Sequence, residues 1–172
     1  MMDAASSLQD QYAPRSVCFG CGPANENGLQ IKSRVEGDLV VCDWEPRPYH
    51  HAFEGVLNGG IIGTLLDCHS NWTAVHGMME REGASVPRPT VTSEYSVKLL
   101  RPTPMEHPVR LEARVVELSG DRASVESTLQ ADGKVRATFN GKFVAVREGH
   151  PAFARWGSSS SPSVQRATSA KT

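Results

Sequence analysis

The chain reads as an α+β domain in which a curved antiparallel sheet wraps around one long helix. Three observations predict this. Residues 58–79 carry a single long apolar helical pattern, a hairpin signal at Gly37-Asp38 precedes it, and four strand-like runs separated by turn residues follow it. A hairpin, one buried helix and then an antiparallel meander pack economically when the sheet curls over the helix.

Each element follows from its residues. Residues 1–16, with Ala4, Ala5, Ser6, Ser7 and Pro14, suit a loose arm or a short helix. Runs 29–35 and 39–44 alternate around Gly37-Asp38 and predict a hairpin. Pro46, Pro48 and the stretch His50-His51-Ala52-Phe53-Glu54 predict a loop into the helix. Asn58 is a good N-cap because its side-chain oxygen accepts from first-turn amides, and the helix is expected to reach about Met79. A polar connection, 80–89, leads to strands at 90–100, 109–118, 123–131 and 134–146. Their turns are marked by Pro102 with Pro104, by Ser119-Gly120-Asp121 and by Asp132-Gly133. The domain is expected to span 17–156, with a disordered Ser-rich tail at 157–172 whose Arg166 and Lys171 are read as solvated.

Composition excludes several roles. With 172 residues the chain suffices for one domain with a sizeable core, and a formal charge of -1 offers no basic stripe for nucleic acid. No apolar run is long enough to span a membrane, and no signal-peptide pattern opens the chain. We expect a cytoplasmic protein that binds neither nucleic acid nor membrane.

The helix carries the chemistry. Gly60, Gly63, Thr64, Asp67, Asn71 and Ala74 form one small, polar stripe, while Ile61, Ile62, Leu65, Leu66 and Trp72 spread over the rest. A carboxylate two turns inside an apolar helix is costly unless it is used or paired. That leaves two readings open: helix packing around a paired Asp67, or close approach of a substrate. The amides of Gly59 and Gly60 are first-turn donors at the positive end of the helix dipole, where an oxyanion is stabilised. Gly59 and Asp67 lie roughly 12 Å apart along the axis, too far to serve one carbonyl carbon. Two antiparallel copies of the helix across a two-fold axis would combine them, so the spacing suggests a homodimer with composite sites; pairing of two dimers into a tetramer stays open.

Four cysteines need placing. Cys18 and Cys21 form a C-x-x-C followed by Gly22, but a closed zinc site needs two more ligands, and no second C-x-x-C or His pair occurs. His50, His51 and His69 are partners only through folding. We read the pair as structuring its loop and expect no metal and no cofactor. Cys42 lies in a predicted strand, Cys68 reads as a small buried apolar residue, and His69 points about 100° away from it.

The segments Gly55-Val56-Leu57-Asn58-Gly59-Gly60 and Leu65-Leu66-Asp67, preceded by Cys18-Phe19-Gly20-Cys21-Gly22 with Asn25 and Gly28-Leu29, resemble the PaaI-like hotdog-fold acyl-CoA thioesterases, within the 4-hydroxybenzoyl-CoA thioesterase superfamily. The likeness covers about residues 17–148. It implies a hotdog fold and hydrolysis of an acyl-CoA thioester to free acid and thiol. It also implies that Gly59 is the oxyanion donor, Asp67 the catalytic base or nucleophile, and Thr92 the group orienting water or carboxylate. Asn58, Gly60, Thr64 and Arg101 are expected to contact substrate, and Arg101 and Lys98 read either as a solvated strand end or as the candidates for a CoA phosphate. The family's His is Asn58 here, which caps a helix but cannot exchange protons near neutral pH. The Asn that relatives carry before the glycines has no counterpart in residues 50–54, where His51 and Glu54 stand nearby. Two alternatives follow: a non-catalytic acyl-CoA-binding dimer, or a hotdog enoyl-thioester hydratase or dehydratase using a carboxylate and a His.

Overall fold

The computed structural model describes residues 6–156, so the expected Ser-rich tail, with Arg166 and Lys171, lies outside the described residues. In chain order the elements are α1 (Leu8–Tyr12), β1 (Arg34–Glu36), β2 (Leu39–Trp44), a 3-10 turn (Pro48–His50), β3 (His51–Phe53), β4 (Val56–Leu57), α2 (Gly59–Glu82), β5 (Thr90–Leu99), β6 (Val109–Ser119), β7 (Arg122–Ala131) and β8 (Lys134–Ala145). Six strands form one antiparallel sheet in the order β1-β2-β6-β7-β8-β5, and β3 pairs with β4 in a separate ribbon. Helix α2 packs against β5, β6, β7, β8 and β2, so the sheet curves around it.

Burial explains the curvature. Ile62, Leu65, Leu66, Trp72, Val75 and Met78 of α2 meet a sheet face built by Val40, Leu111, Val125, Leu129 and Phe139. A straight sheet would leave one flank of a 24-residue helix exposed. The curled sheet covers it.

Several boundaries differ from the expectations above, each for a local reason. The predicted strand 29–35 shrinks to Arg34–Glu36, because the amides of Leu29 and Ile31 are taken by the carbonyls of Phe19 and Gly20, and Gln30 has φ 55°. Ser33 is likewise engaged, its carbonyl accepting from Leu8 and its amide donating to Gln9 Oε1. Those groups cannot also serve a β ladder. The region 48–57, expected as loop, instead folds into the 3-10 turn and the short β3–β4 ribbon, closed by Gly55 at φ 77°. Helix α2 runs past Met79 to Glu82, where Gly83 adopts the left-handed conformation and its amide caps Glu80 and Met79 carbonyls. Near the N-terminus the short helix forms, capped by Ser7, with Leu8, Gln9 and Ala13 buried in the core.

Leu65 sits at the centre of this packing with no solvent exposure. Leu65→Ala is expected to cost about 2–5 kcal/mol, seen as a lower urea midpoint with an unchanged slope.

Candidate active site

Asn58 fixes where α2 begins. Its side-chain oxygen accepts from the amides of Gly60 at 2.8 Å and Ile61 at 3.3 Å, and its own carbonyl accepts from Ile62. Gly60, expected as a substrate donor, therefore has its N–H engaged by the cap. The Gly59 N–H is the first-turn donor left without an acceptor among the described residues. A Cβ at Gly59 would lie 3.2 Å from Leu99 Cδ1, so β5 closes tightly over the helix start.

Asp67 lies two turns further along and is partly buried. Its Oδ1 accepts from Thr92 Oγ1 of β5 at 2.8 Å. One turn beyond, Asn71 Oδ1 accepts from Thr90 Oγ1 at 2.9 Å, within the buried interior. Burial pushes the Asp67 carboxyl above its ordinary value; the Thr92 hydrogen bond opposes this, the nearby Cys18 adds to it, and the Arg155 guanidinium opposes it. Such a carboxylate is more basic than a solvated one. Arg155 is itself positioned by donating to the Thr90 carbonyl at 2.9 Å. No sequence signal linked it to Asp67.

A cleft of about 320 Å³ opens beside Gly59, lined by Phe53, Val56, Leu57, Ile62, Leu99 and Leu100, with Arg101 and Thr103 at its polar side. Phe53, Leu99 and Leu100 are all more than half exposed, at 63%, 58% and 52%. Thr103 is buried, and its Oγ1 is a buried side-chain oxygen with no hydrogen-bond partner among the described residues. A somewhat larger hollow, about 420 Å³, lies over the sheet among Glu112, Arg114 and Glu126 and shares no lining residue with the cleft.

The remaining candidates separate cleanly. Thr64 donates its hydroxyl to the Gly60 carbonyl of its own helix at 3.0 Å. Arg101 lines the cleft with Gly59, whereas Lys98 is exposed on β5 and is not among the lining residues. His69, fully buried, donates from Nε2 to the Val40 carbonyl, so its Nδ1 accepts from Ser33 Oγ, which in turn accepts from Gln9. Burial pushes its pKa down to about 4. His69 is a neutral core residue, unavailable to a hydratase-like partnership with Asp67. His50 stacks on Trp44 and accepts from the Arg47 amide, while His51 and Glu54 are exposed on the β3–β4 ribbon and its turn.

The cysteines form a cluster that sequence spacing did not reveal. Cys18, Cys21 and Cys68 bring their sulfurs within 4.8 Å of one another, with Cys18 and Cys68 sulfurs 3.8 Å apart. Hydrogen bonding to Cys18 pushes the Cys21 thiol up to about 11, and the Cys68 thiol is raised for the same reason. Hydrogen bonds from Cys21 and Cys68 and from the amides of Cys21 and Gly20 hold the Cys18 thiol far below its usual range.

The environment of Asp67 predicts a stability effect. A folded pKa above the ordinary 3.8 means that ionisation costs stability; the cost is absent below the unfolded value and grows as pH rises through the folded one. Asp67→Asn keeps an acceptor for Thr92 and removes that charge. Its urea midpoint at neutral pH is expected to equal or exceed that of wild type, and a clearly lower midpoint would contradict the burial argument.

A family model described as the thioesterase superfamily matches residues 54–137, which contain the helix start, Asp67 and Thr92. No curated protein matches the sequence. Among solved structures, the chain is similar to a thioesterase superfamily protein from Shewanella loihica PV-4, at 25% identity and TM-score 0.59, covering 73% of this chain and 98% of that one. It also resembles in fold the E. coli PaaI protein of the phenylacetic acid degradation operon, at 16% identity and TM-score 0.58, covering 69% and 81% of the two chains. A third likeness in fold is to a Streptococcus mutans UA159 protein bound to acetyl CoA, at 18% identity and TM-score 0.56, covering 67% and 88%. With the helix wrapped in a six-stranded antiparallel sheet and that superfamily's model matching the segment across its centre, the chain has the hotdog fold of the thioesterase superfamily.

Proposed function

We propose that this protein hydrolyses an acyl-CoA thioester at two equivalent sites of a homodimer. The observation that carries the reading is the pairing of Thr92 with Asp67 on the same helix that leaves the Gly59 amide without an acceptor. In each site the thioester carbonyl oxygen accepts from the Gly59 N–H of one subunit, and Asp67 of the partner subunit faces the carbonyl carbon. Thr92 holds one oxygen of Asp67, which leaves the other for a water molecule. Asp67 takes a proton as the water oxygen adds to the carbonyl carbon, and the developing oxyanion is stabilised at Gly59. Collapse breaks the C–S bond, and the departing thiolate recovers the proton.

Three features support this arrangement. The roughly 12 Å between Gly59 and Asp67 along one helix requires a second helix. Strand β5, which carries Thr92, is at the edge of the sheet and exposes Tyr95 and Leu99, with exposed Leu100 directly after it, a surface suited to a second copy. The apolar cleft between Phe53, Ile62 and Leu100 suits an acyl group, and Arg101 at its rim suits a CoA phosphate. The same chemistry is consistent with the S. mutans neighbour, described as bound to acetyl CoA.

The oxyanion donor is open to direct removal. Gly59 is the first helical residue, Asn58 before it has φ -63° and ψ 131°, and the Gly59 N–H makes no backbone bond. Proline is tolerated at such a position and deletes the donor, while its Cβ requires the Leu99 side chain, 3.2 Å away, to give by a few tenths of an ångström. With a panel of short, long and aromatic acyl-CoAs, Gly59→Pro is expected to lower kcat by about 10² to 10³, and Asp67→Asn by about 10² to 10⁴, both remaining folded. Co-expressed heterodimers of the two variants regain one intact site and recover turnover. Heterodimers as inactive as their parents would refute composite sites. Tight acyl-CoA binding without turnover by wild type would instead favour a binding protein, consistent with Asn58 in the place of a proton-exchanging His.

A further inference from the structure

We propose that Cys18, Cys21 and Cys68 together bind one zinc ion, which fastens the N-terminal knuckle to the middle of α2. This inference stands apart from the thioester reading. Cys18 and Cys21 come from a tight turn and Cys68 from the helix, so the three sulfurs converge from two distant segments. The Cys18–Cys68 separation of 3.8 Å is far beyond an S–S bond of about 2.05 Å. It equals the edge of a tetrahedron of sulfurs around a zinc ion with bonds of about 2.3 Å.

The surroundings are built for metal-bound sulfur. The Gly22 amide donates to the Cys18 carbonyl at 2.9 Å, closing the turn. A side chain at Gly20 would collide with Cys68 Sγ, and one at Gly22 with the Cys18 backbone, so both glycines permit the convergence. The Trp72 indole N–H donates to Cys21 Sγ at 3.3 Å. Such donors stabilise thiolates around a metal and orient them. Cys21 is buried, while Cys18 and Cys68 are partly exposed, which leaves the fourth position for water or an external donor on their side. Thiolate sulfur selects a borderline-soft ion over magnesium or calcium. Zinc with three thiolates carries one net negative charge, so it suits a structural fastening beside Asp67 better than an electrophile for the substrate carbonyl.

The test uses the full chain, reduced, stripped with chelator and titrated with Zn²⁺ alone, and in parallel with Co²⁺. Wild type is expected to bind one ion per chain by native mass spectrometry, and the Co²⁺ form to show sulfur-to-metal charge transfer with tetrahedral visible bands. Cys68→Ser and Cys21→Ser should weaken binding by more than the roughly 10–100-fold typical of losing a supporting hydrogen bond. Cys42→Ser, outside the cluster, should bind as wild type does. Cys18→Ser, at a partly exposed sulfur, repeats the measurement if either other variant fails to fold. The proposal is overturned if reduced wild type takes up no stoichiometric metal or if Cys68→Ser and Cys18→Ser bind like wild type. It is equally overturned if the natively purified chain is metal-free and two hydrogens lighter, with peptide mapping placing the disulfide between two of Cys18, Cys21 and Cys68, which would make the cluster a redox site.

Discussion

Two hydrogen bonds between β5 and α2 set the geometry on which the site depends. Thr90 donates to Asn71 and Thr92 to Asp67. Residues two apart on a strand rise about 6.7 Å, and residues four apart on a helix about 6 Å, so one pair of threonines matches one turn of helix. The match locks the two elements in register and antiparallel. It also answers the cost of a carboxylate inside an apolar helix, because one of its oxygens has a fixed donor. The strand then bulges between Thr92 and Glu94, immediately after the second of these hydrogen bonds.

The start of the helix shows a complementary economy. Asn58 satisfies two first-turn amides with one oxygen and spares a third. A histidine at this position would have at most one ring acceptor for the same donors, together with a titratable proton. Asn58 exchanges that proton for a stronger cap. Around Asp67 the electrostatics are balanced rather than one-sided, with burial and Cys18 favouring the neutral acid and Thr92 and Arg155 favouring the carboxylate.

Much of this was legible in the sequence, and the failures have physical causes. The long helix, its Asn58 cap, the hairpin turn at Gly37 and the β6–β7–β8 meander follow from periodicity and turn residues, which are local signals; the expected continuation of the meander through β5 fails, because β5 pairs with β8 and not with β6, a partner distant in sequence. The spacing of Gly59 and Asp67 was likewise readable, because a helix converts residue number directly into distance. Residues 29–33 looked like a strand because their side chains alternate, yet their backbone groups are claimed by the Phe19–Gly20 turn and by Gln9, partners far away in sequence. The gathering of Cys68 with Cys18 and Cys21 was hidden for the same reason. So was the buried Thr103 hydroxyl, since a threonine between two prolines, Pro102 and Pro104, reads as part of a turn.

Trp72 has a consequence for how the molecule comes apart. Its indole N–H reaches Cys21 near the start of the described chain, and its ring stacks on Trp156 at the other end, with centroids 4.8 Å apart. Arg155, beside that second indole, also grips the first residue of β5. The two extremities thus meet on a single side chain of the central helix. Fraying from either end would uncover the same indole, so the N-terminal knuckle and the C-terminal turns belong to one cooperative unit with the helix core. In a protein whose ends met different neighbours, they would open independently.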